Sequence, residues 1–188
     1  MNAASPTTVL YEDYFLVETT SDEKHEWSDG VVFAMSRGTP EHARLSSRMI
    51  RVLGNALGRD CEVYSSDAMV FVEAAQLSTY ADASVVCGPL ETNTVYKNGR
   101  SLGAAITNPA VIVEVLSDST ERYDRDGKFN AYRKLASFEE YVLVSQDERS
   151  IEVYRRDAAG AWTVVEVAHA GESVTVHGAK IAVDDVYG

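Results

Sequence analysis

The sequence predicts a mixed α/β protein, and three patterns carry this prediction. A continuous apolar run from Ala110 to Leu116 follows an Asn-Pro turn signal and is typical of a strand buried on both faces. Residues 40 to 58 repeat apolar side chains about every 3.6 positions, as a helix does when one face is packed. Asp29-Gly30 lies between two apolar stretches and indicates a β-hairpin. Strands and helices therefore share one mixed domain, predicted to span residues 1–188.

The N-terminal half contains the predicted helix starts. Thr8 is predicted to cap a short amphipathic helix that covers one end of the core with Tyr14 and Phe15. Thr39-Pro40 favours the start of the long helix, since threonine can cap and proline is tolerated at the first helical position, and Gly58 ends it. Apolar, β-branched stretches predict the strands 61–65, 69–73 and 80–87.

The C-terminal half begins with a stretch rich in turn residues, 88–107, which predicts an irregular loop because Gly88-Pro89, Asn98-Gly99 and Gly103 interrupt it. After the run at Ala110 we expect a helix from Thr120 to Ala136. Further strands are predicted at 141–145, 151–155 and 162–167, with a polar hairpin connection at 157–160 and a final strand or two near the C-terminus.

Composition limits the class of protein. With 188 residues and 45% hydrophobic content, the chain can bury a substantial core. Neither a signal peptide nor an apolar run of membrane-spanning length is apparent, so a cytoplasmic protein is expected. Cys61 and Cys87 lack CxxC spacing, which favours two reduced thiols but leaves a disulfide open.

Charge is unevenly distributed along the chain. The net charge of -12 argues against a protein that binds nucleic acid over its whole surface. Arg44, Arg48 and Arg51 form one stripe of the long predicted helix. This stripe could contact phosphates, as could Arg122, Arg125 and Arg133, but a solvated basic face is the commoner explanation of such a cluster.

Two charges occupy positions where apolar residues are expected. Glu114 interrupts the buried strand, and Lys128 lies at the edge of the packing face of the predicted helix. A buried carboxylate needs a cation, a metal or a raised pKa. Asp82 opens another apolar strand, and Glu26 lies in an acidic segment. Taken singly, Asp82 is more typical of a turn, Lys128 of a side chain that reaches solvent, and Glu26 of a surface acid.

Taken together, these residues predict a metal-dependent site. Two carboxylates on neighbouring strands repel each other unless a cation lies between them, and hard oxygen ligands favour Mg²⁺ or Mn²⁺. A partly buried lysine beside them can orient a water and offset charge on a phosphoryl transition state. The sequence contains neither HExxH nor GxSxG, which disfavours a zinc protease and a serine hydrolase.

Several ordered blocks resemble the Uma-two family of restriction-endonuclease-like proteins, within the PD-(D/E)XK nuclease superfamily. The resemblance covers about residues 11 to 167. It rests on Glu26 in an EKHEW-like start, Asp82, and the blocks GTPEHARL (38–45), IVEVLSDST (112–120) and YDRDGKFNAYRK (123–134).

The resemblance implies a restriction-endonuclease-like fold: a mixed central β-sheet flanked by helices, with additional β-hairpins. It also implies a Mg²⁺- or Mn²⁺-dependent endonuclease that hydrolyses DNA. Asp82 and Glu114 match the metal-binding acids, the Val115 carbonyl is a further ligand, and Glu26 matches an early acid. Many nucleases of this superfamily are dimers, so a homodimer is compatible with the resemblance.

Two positions depart from the superfamily motif. Ala81 stands where a proline is expected before the aspartate, and Leu116 stands where a lysine is expected after Glu114. Lys128 is predicted to replace that lysine from the following helix, so that Lys128→Ala would lose cleavage while folding is retained. Tyr132, Gln146 and His42 are predicted to orient the site from outside the metal ligands, although Gln146 could equally be an ordinary loop residue.

Three classes of function fit the sequence. The first is the Mg²⁺-dependent DNA endonuclease, which the two acids and the lysine favour. The second is an inactive nuclease fold that binds nucleic acid or protein, and the third is an oligomerising domain whose charges form internal ion pairs. Leu116 and the net charge of -12 favour the second and third classes.

Overall fold

The computed structural model describes residues 8–188 and contains two six-stranded mixed sheets. The helices are α1 (Tyr11–Glu18), α2 (Pro40–Ala56), α3 (Phe129–Tyr132) and α4 (Val183–Tyr187), and a π-helical segment, Tyr123–Lys128, directly precedes α3. The strands are β1 (His25–Ser28), β2 (Val31–Ala34), β3 (Cys61–Ser65), β4 (Met69–Val72), β5 (Leu77–Tyr80), β6 (Ala83–Cys87), β7 (Thr92–Lys97), β8 (Arg100–Ile106), β9 (Val111–Val115), β10 (Glu140–Val144), β11 (Ser150–Arg156), β12 (Trp162–His169), β13 (Ser173–Val176) and β14 (Ala179–Ala182).

The first sheet has the strand order β2-β1-β5-β4-β8-β7 and is covered by α1. Tyr14 and Phe15 are buried against this sheet, as predicted from the sequence. The predicted cap is wrong, because the helix begins at Tyr11 and Leu10 precedes it without a capping side-chain hydrogen bond. Thr8 instead lies against Gly30 of the first hairpin.

The second sheet has the order β12-β11-β10-β9-β6-β3 and is covered on both faces. The apolar face of α2 packs on one side together with the β13–β14 hairpin and α4. Tyr132 and Phe138 pack on the other side. The central strand β9 is therefore buried at every position, and this explains its continuous apolar sequence.

The chain crosses from one sheet to the other at Ala81 and Asp82. The sequence predicted a single strand from Tyr80 to Cys87, but β5 belongs to the first sheet and β6 to the second. Asp82 thus stands at the junction of the two sheets. An acid at such a junction can face the space between the sheets, which a position inside a continuous strand would not allow.

Residues 88–107 are not an irregular loop, contrary to the prediction. They form the β7–β8 hairpin, which is antiparallel and closed by Asn98-Gly99. Both turn residues have positive φ, 51° and 75°, as a two-residue hairpin turn requires. The same turn geometry closes the first hairpin at Asp29-Gly30, which the sequence did predict.

The predicted helix from Thr120 to Ala136 is helical from residue 121 to 132 and contains a π-helical segment. A π turn adds a residue per turn, so that side chains five positions apart come together, and such segments are frequent at functional sites. Tyr123 and Lys128 have this spacing, and the Lys128 ammonium lies 5.9 Å from the centre of the Tyr123 ring.

Gly127→Ala is expected to disturb this segment. A Cβ at residue 127 would lie 2.5 Å from Cδ2 of Tyr123, so the ring must move. We expect a loss of about 1–3 kcal/mol in the free energy of unfolding, measured by urea denaturation. Gly54→Ala on α2 is the control, since its Cβ would meet no atom within 4 Å. Equal stability of Gly127→Ala and wild type would contradict the close packing of Tyr123.

The sequence interpretation of the two cysteines is wrong, while the arginine stripe has contacts that the sequence did not predict. Cys61 and Cys87 face each other across β3 and β6 and are joined in a disulfide, whereas reduced thiols were favoured. The arginine stripe of α2 is half-buried to exposed, as a solvated basic face would be. Its three guanidinium groups donate to the carbonyl oxygens of Tyr187, Val186 and Asp185 near the C-terminus. Among residues 8–188, no helix is long and apolar enough to cross a membrane.

Candidate metal centre between the two sheets

Four carboxylates and one lysine line a cavity of about 990 Å³. Glu26 comes from β1 of the first sheet and Asp82 from the crossover between the sheets. Glu114 comes from β9 of the second sheet, while Asp124 and Lys128 come from the π-helical segment. Residues far apart in sequence thus reach one cavity because it lies where the two sheets and the helical segment meet.

Asp82 and Glu114 occupy opposite positions at the end of the β6–β9 ladder. Ala83 pairs with Val113, so the next step of the antiparallel register places Asp82 opposite Glu114. The Asp82 carboxylate accepts a hydrogen bond from the backbone N–H of Val115 at 2.7 Å. This bond fixes Asp82 beside the strand that carries Glu114, as expected for two acids that share a site.

Lys128 is buried among three carboxylates. Its side chain is 7% exposed, and Nζ lies 3.2 Å from Glu114, 3.5 Å from Glu26 and 3.4 Å from Asp124. The expectation for an isolated lysine, that the ammonium reaches solvent, does not hold. Lys128 contacts the predicted strand acid from the helix, while Leu116 lies in the apolar core.

Glu26 is held by three neighbours from two elements, β5 and the π-helical segment. One carboxylate oxygen accepts a hydrogen bond from the Thr79 hydroxyl on β5, and the other accepts from the Tyr123 hydroxyl at 2.9 Å. Together with Lys128, these contacts bury Glu26 at the junction. Glu26 is therefore part of the cluster and not a surface acid.

Asp124 belongs to the cluster but was missed in the sequence analysis. It is 3% exposed, and its buried Oδ1 atom has no hydrogen-bond partner among residues 8–188, although the Lys128 ammonium lies 3.4 Å away. Burial raises the pKa of this carboxyl. The available signal was the spacing of Asp124 and Lys128, an acid four residues before a lysine, which places both on one helical face.

Burial and mutual charge shift the pKa values of Glu114 and Lys128. Burial raises the pKa of Glu114 well above its usual range, although the Lys128 charge opposes this shift. Burial alone would lower the pKa of Lys128, but the negative charges of Glu114, Glu26 and Asp124 outweigh it and raise the pKa. The lysine is thus held cationic by the carboxylates around it.

The three residues predicted to orient the site occupy different positions. The Tyr132 hydroxyl donates to Glu114 at 2.9 Å from within the core. His42 Nε2 lies 3.1 Å from Asp82, and this contact raises the His42 pKa. Gln146 does not line the cavity; its amide donates to the Leu116 carbonyl and its oxygen accepts from Thr39, the cap of α2. Gln146 therefore ties the start of the helix that carries His42 to the end of β9.

The walls of the cavity carry an excess of negative charge. Arg125, one of the residues considered for phosphate contact, does not line the cavity and is paired with Glu121 and Glu152. Seven acids line the cavity against three basic side chains and His42: Asp22, Glu23, Glu26, Asp67, Asp82, Glu114 and Asp124 against Lys24, Arg37 and Lys128.

The residues present fit a small divalent cation. Mg²⁺ commonly takes one or two protein carboxylates and completes its coordination with waters and substrate phosphates. In the described part of the chain, no three carboxylates converge within 4.8 Å of one another. The arrangement therefore fits a two-carboxylate site and not an all-protein cage.

The mixed α+β fold with two large sheets places the protein among restriction-endonuclease-like folds. The chain belongs to the Uma2 family, described as "Putative restriction endonuclease", which matches residues 11–183. The resemblance identified from the sequence blocks is thereby confirmed. The match extends beyond Val167 to the C-terminal hairpin.

Two relatives and a solved structure are similar to this chain over most of its length. The chain is 35% identical to the uncharacterized protein slr1290 of Synechocystis sp., over 94% of this chain and 90% of that protein. It is 27% identical to sll1609 of the same organism, over 89% and 92% of the two chains. A crystal structure titled as a putative nuclease belonging to DUF820 from Anabaena variabilis matches with a TM-score of 0.67 and 16% identity, covering 89% of this chain and 91% of that one. This likeness confirms the predicted fold class.

Proposed function

We propose that this protein is a Mg²⁺- or Mn²⁺-dependent endonuclease that hydrolyses phosphodiester bonds in DNA. The observation that carries the proposal is the pairing of Asp82 and Glu114 at the junction of the two sheets, beside a buried lysine. The family and its solved neighbour support nuclease chemistry, since both are described in those terms.

Asp82, Glu114 and the carbonyl of Val115 are the proposed metal ligands. All three residues line the cavity, and carboxylate and carbonyl oxygens suit Mg²⁺ and Mn²⁺. A bound cation of this kind polarises a phosphodiester and lowers the pKa of a coordinated water. The contact between Asp82 and the Val115 N–H keeps one carboxylate aligned with the strand that supplies the other ligands.

Lys128 is proposed to offset the negative charge that develops on the phosphate during hydrolysis. A fixed ammonium in a partly dehydrated cavity is effective for this purpose because it needs no reorganisation. Glu26 and Asp124 hold the ammonium in position, and Tyr132 fixes Glu114 through its hydroxyl. His42 steadies Asp82 from the start of α2.

The acidic lining of the cavity supports the requirement for a cation. DNA phosphates are repelled by seven carboxylates, so backbone contacts within the cavity need positive charge from another source. The arginines of α2 do not line the cavity and donate instead to carbonyl oxygens near the C-terminus. A divalent ion between Asp82 and Glu114 would reduce the repulsion where the scissile phosphate must lie.

A binding module without turnover is the alternative function. Its support is Leu116, which is buried in the core where the superfamily motif has a lysine. Such a protein would retain DNA in the presence of Mg²⁺ without cutting it. A gel-shift and a nicking assay on the same samples separate the two functions.

Asp82→Asn is expected to reduce plasmid nicking in Mg²⁺ or Mn²⁺ by at least about 100-fold, because the amide loses the charge that binds the cation. Asp67→Asn is the matched control, since Asp67 also lines the cavity but is solvent-exposed and paired with Lys24. We expect Asp67→Asn to nick plasmid DNA like wild type. EDTA should stop nicking by wild type and by Asp67→Asn. Wild-type nicking by Asp82→Asn would remove Asp82 from the site.

A further inference from the structure

We infer that Cys61, Cys87 and His177 form a second metal site, which is specific for a thiolate-preferring ion such as Zn²⁺ and is opened by reduction of the disulfide. The ligand atoms of these three residues lie within 4.8 Å of one another, and no other group of three metal-binding side chains in the described residues meets this distance. The site is independent of the proposed nuclease function.

The two cysteines are close enough to bind the same ion. They face each other directly across the β3–β6 pair, with Cα atoms 4.0 Å apart, and β3 is the outer strand of the sheet. Tetrahedral zinc with Zn–S distances of about 2.3 Å requires sulfurs about 3.8 Å apart, which fits side chains from opposite positions once the bond between them is broken. Both cysteines are partly exposed, so a reductant can reach them.

His177 lies in a tight turn next to the two sulfurs. It opens the two-residue turn between β13 and β14 with φ 45°, followed by Gly178 at φ 79°. Such turns favour Asn-Gly, because few other side chains tolerate positive φ. Histidine is one of the few that do. The turn places the His177 ring beside the sulfur pair, and imidazole and thiolates are the common zinc ligands.

The histidine is held from two sides. Its backbone N–H donates to Glu140 at 2.7 Å, and its ring Nδ1 lies 3.7 Å from Glu139. Carboxylates beside a metal-binding histidine orient the ring and strengthen binding. The site thus offers two thiolates and one imidazole, and leaves the fourth tetrahedral position for water.

Opening the site is a balanced two-electron step. A dithiol reductant breaks the Cys61–Cys87 bond, each sulfur gains one electron and one proton, and the reductant becomes a disulfide. Zinc binding then releases the two thiol protons. The oxidised protein holds no thiolate and therefore cannot bind the ion. Because Cys87 ends β6 and Asp82 precedes its start, the two metal sites lie at opposite ends of one strand.

The test uses Co²⁺ as a coloured substitute for Zn²⁺. Reduced wild-type protein is expected to bind one equivalent with a thiolate-to-cobalt charge-transfer band, and to lose the band when Zn²⁺ is added. Oxidised protein is expected to show none. The oxygen ligands at Asp82 and Glu114 cannot produce this band, so the readout distinguishes the two sites.

His177→Asn is the sharpest variant because asparagine tolerates the turn and leaves both cysteines in place. We expect Zn²⁺ affinity to fall by at least about 10–100-fold. Cys61→Ser is expected to abolish the band, and Asn98→Asp in the β7–β8 turn is the control that retains it. Absence of the band in reduced wild type, resistance of the disulfide to dithiothreitol, or wild-type affinity in His177→Asn would overturn the site.

Discussion

Lys128→Met is expected to lower the free energy of unfolding by about 3–5 kcal/mol at neutral pH, because it removes the ammonium that lies among three buried carboxylates. Methionine keeps the length and apolar stem of lysine, so the loss reports charge and not volume. Cleavage should be lost as well. The sequence predicted retained folding for Lys128→Ala, and the buried ion cluster now argues against that expectation.

The loss of unfolding free energy in Lys128→Met should become larger as the pH rises. Burial raises the pKa of Glu114 and Asp124 in the folded protein, and removal of Lys128 takes away the main charge that opposes the shift. A carboxyl with a raised folded pKa stabilises the fold below its unfolded pKa, and that contribution is lost as pH rises through the folded pKa. Lys128→Met should therefore approach wild-type stability as the pH is lowered.

Urea unfolding of both proteins between about pH 4 and pH 8 measures this dependence. Lys134→Met is the control, since Lys134 is exposed and its ammonium contacts only the Ala74 carbonyl; we expect a change within about 0.5 kcal/mol. A neutral-pH stability of Lys128→Met equal to wild type would show that the carboxylates do not need the ammonium.

Glu114→Gln is expected to abolish metal-dependent nicking, with a fall of roughly 1,000-fold or more, while the protein remains folded. Glutamine has the same shape, and its oxygen can still accept from Tyr132 and Lys128. Only the negative charge and one strong metal ligand are lost. Mn²⁺ should raise the melting temperature of wild type but not of this variant, because only a protein that binds the ion is stabilised by it.

Glu140→Gln provides a matched control for Glu114→Gln. Glu140 is also a buried carboxylate on a central strand of the same sheet, but it is paired with Arg155 away from the cavity. This variant should retain nicking and the Mn²⁺ effect. If Glu114→Gln lost nicking but kept the Mn²⁺ effect, Glu114 would contribute to hydrolysis without holding the metal.

A double variant separates the contribution of Glu114 and Lys128 to stability from their contribution to hydrolysis. Lys128→Met leaves an unpaired carboxylate at Glu114, whereas Lys128→Met combined with Glu114→Gln does not. The double variant should therefore be more stable than Lys128→Met while remaining inactive. This comparison keeps the effect on folding apart from the effect on hydrolysis.

The elements that the sequence predicted well depend on local signals. Thr39-Pro40 and the apolar stripe defined α2 almost to its ends, and Asp29-Gly30 defined the first hairpin. The same kind of signal at Asn98-Gly99 was present but was interpreted as a break. The β7–β8 hairpin was missed for that reason and not for lack of information in the chain.

The cluster was only partly predictable. Asp82, Glu114 and Lys128 stood out because each interrupts or opens an apolar stretch, whereas Glu26 was noticed through the family-like block that contains it. Asp124 did not stand out, because an acid on a predicted helix is usually exposed. Its burial depends on the π-helical segment, which no local pattern announced, and on Tyr141, whose hydroxyl donates to the Asp124 carbonyl.

By itself, the sequence determined the mixed α/β class, the family and the two charges that do not belong in apolar surroundings. The tertiary structure decided where those charges meet. Its contributions are the division of one predicted strand between two sheets at Asp82, the three carboxylates around Lys128, and the pairing of Cys61 with Cys87. The physical reason is sequence separation. Propensity and periodicity act over a few neighbouring residues, whereas burial and ion pairing bring together residues as far apart in the sequence as Glu26 and Lys128.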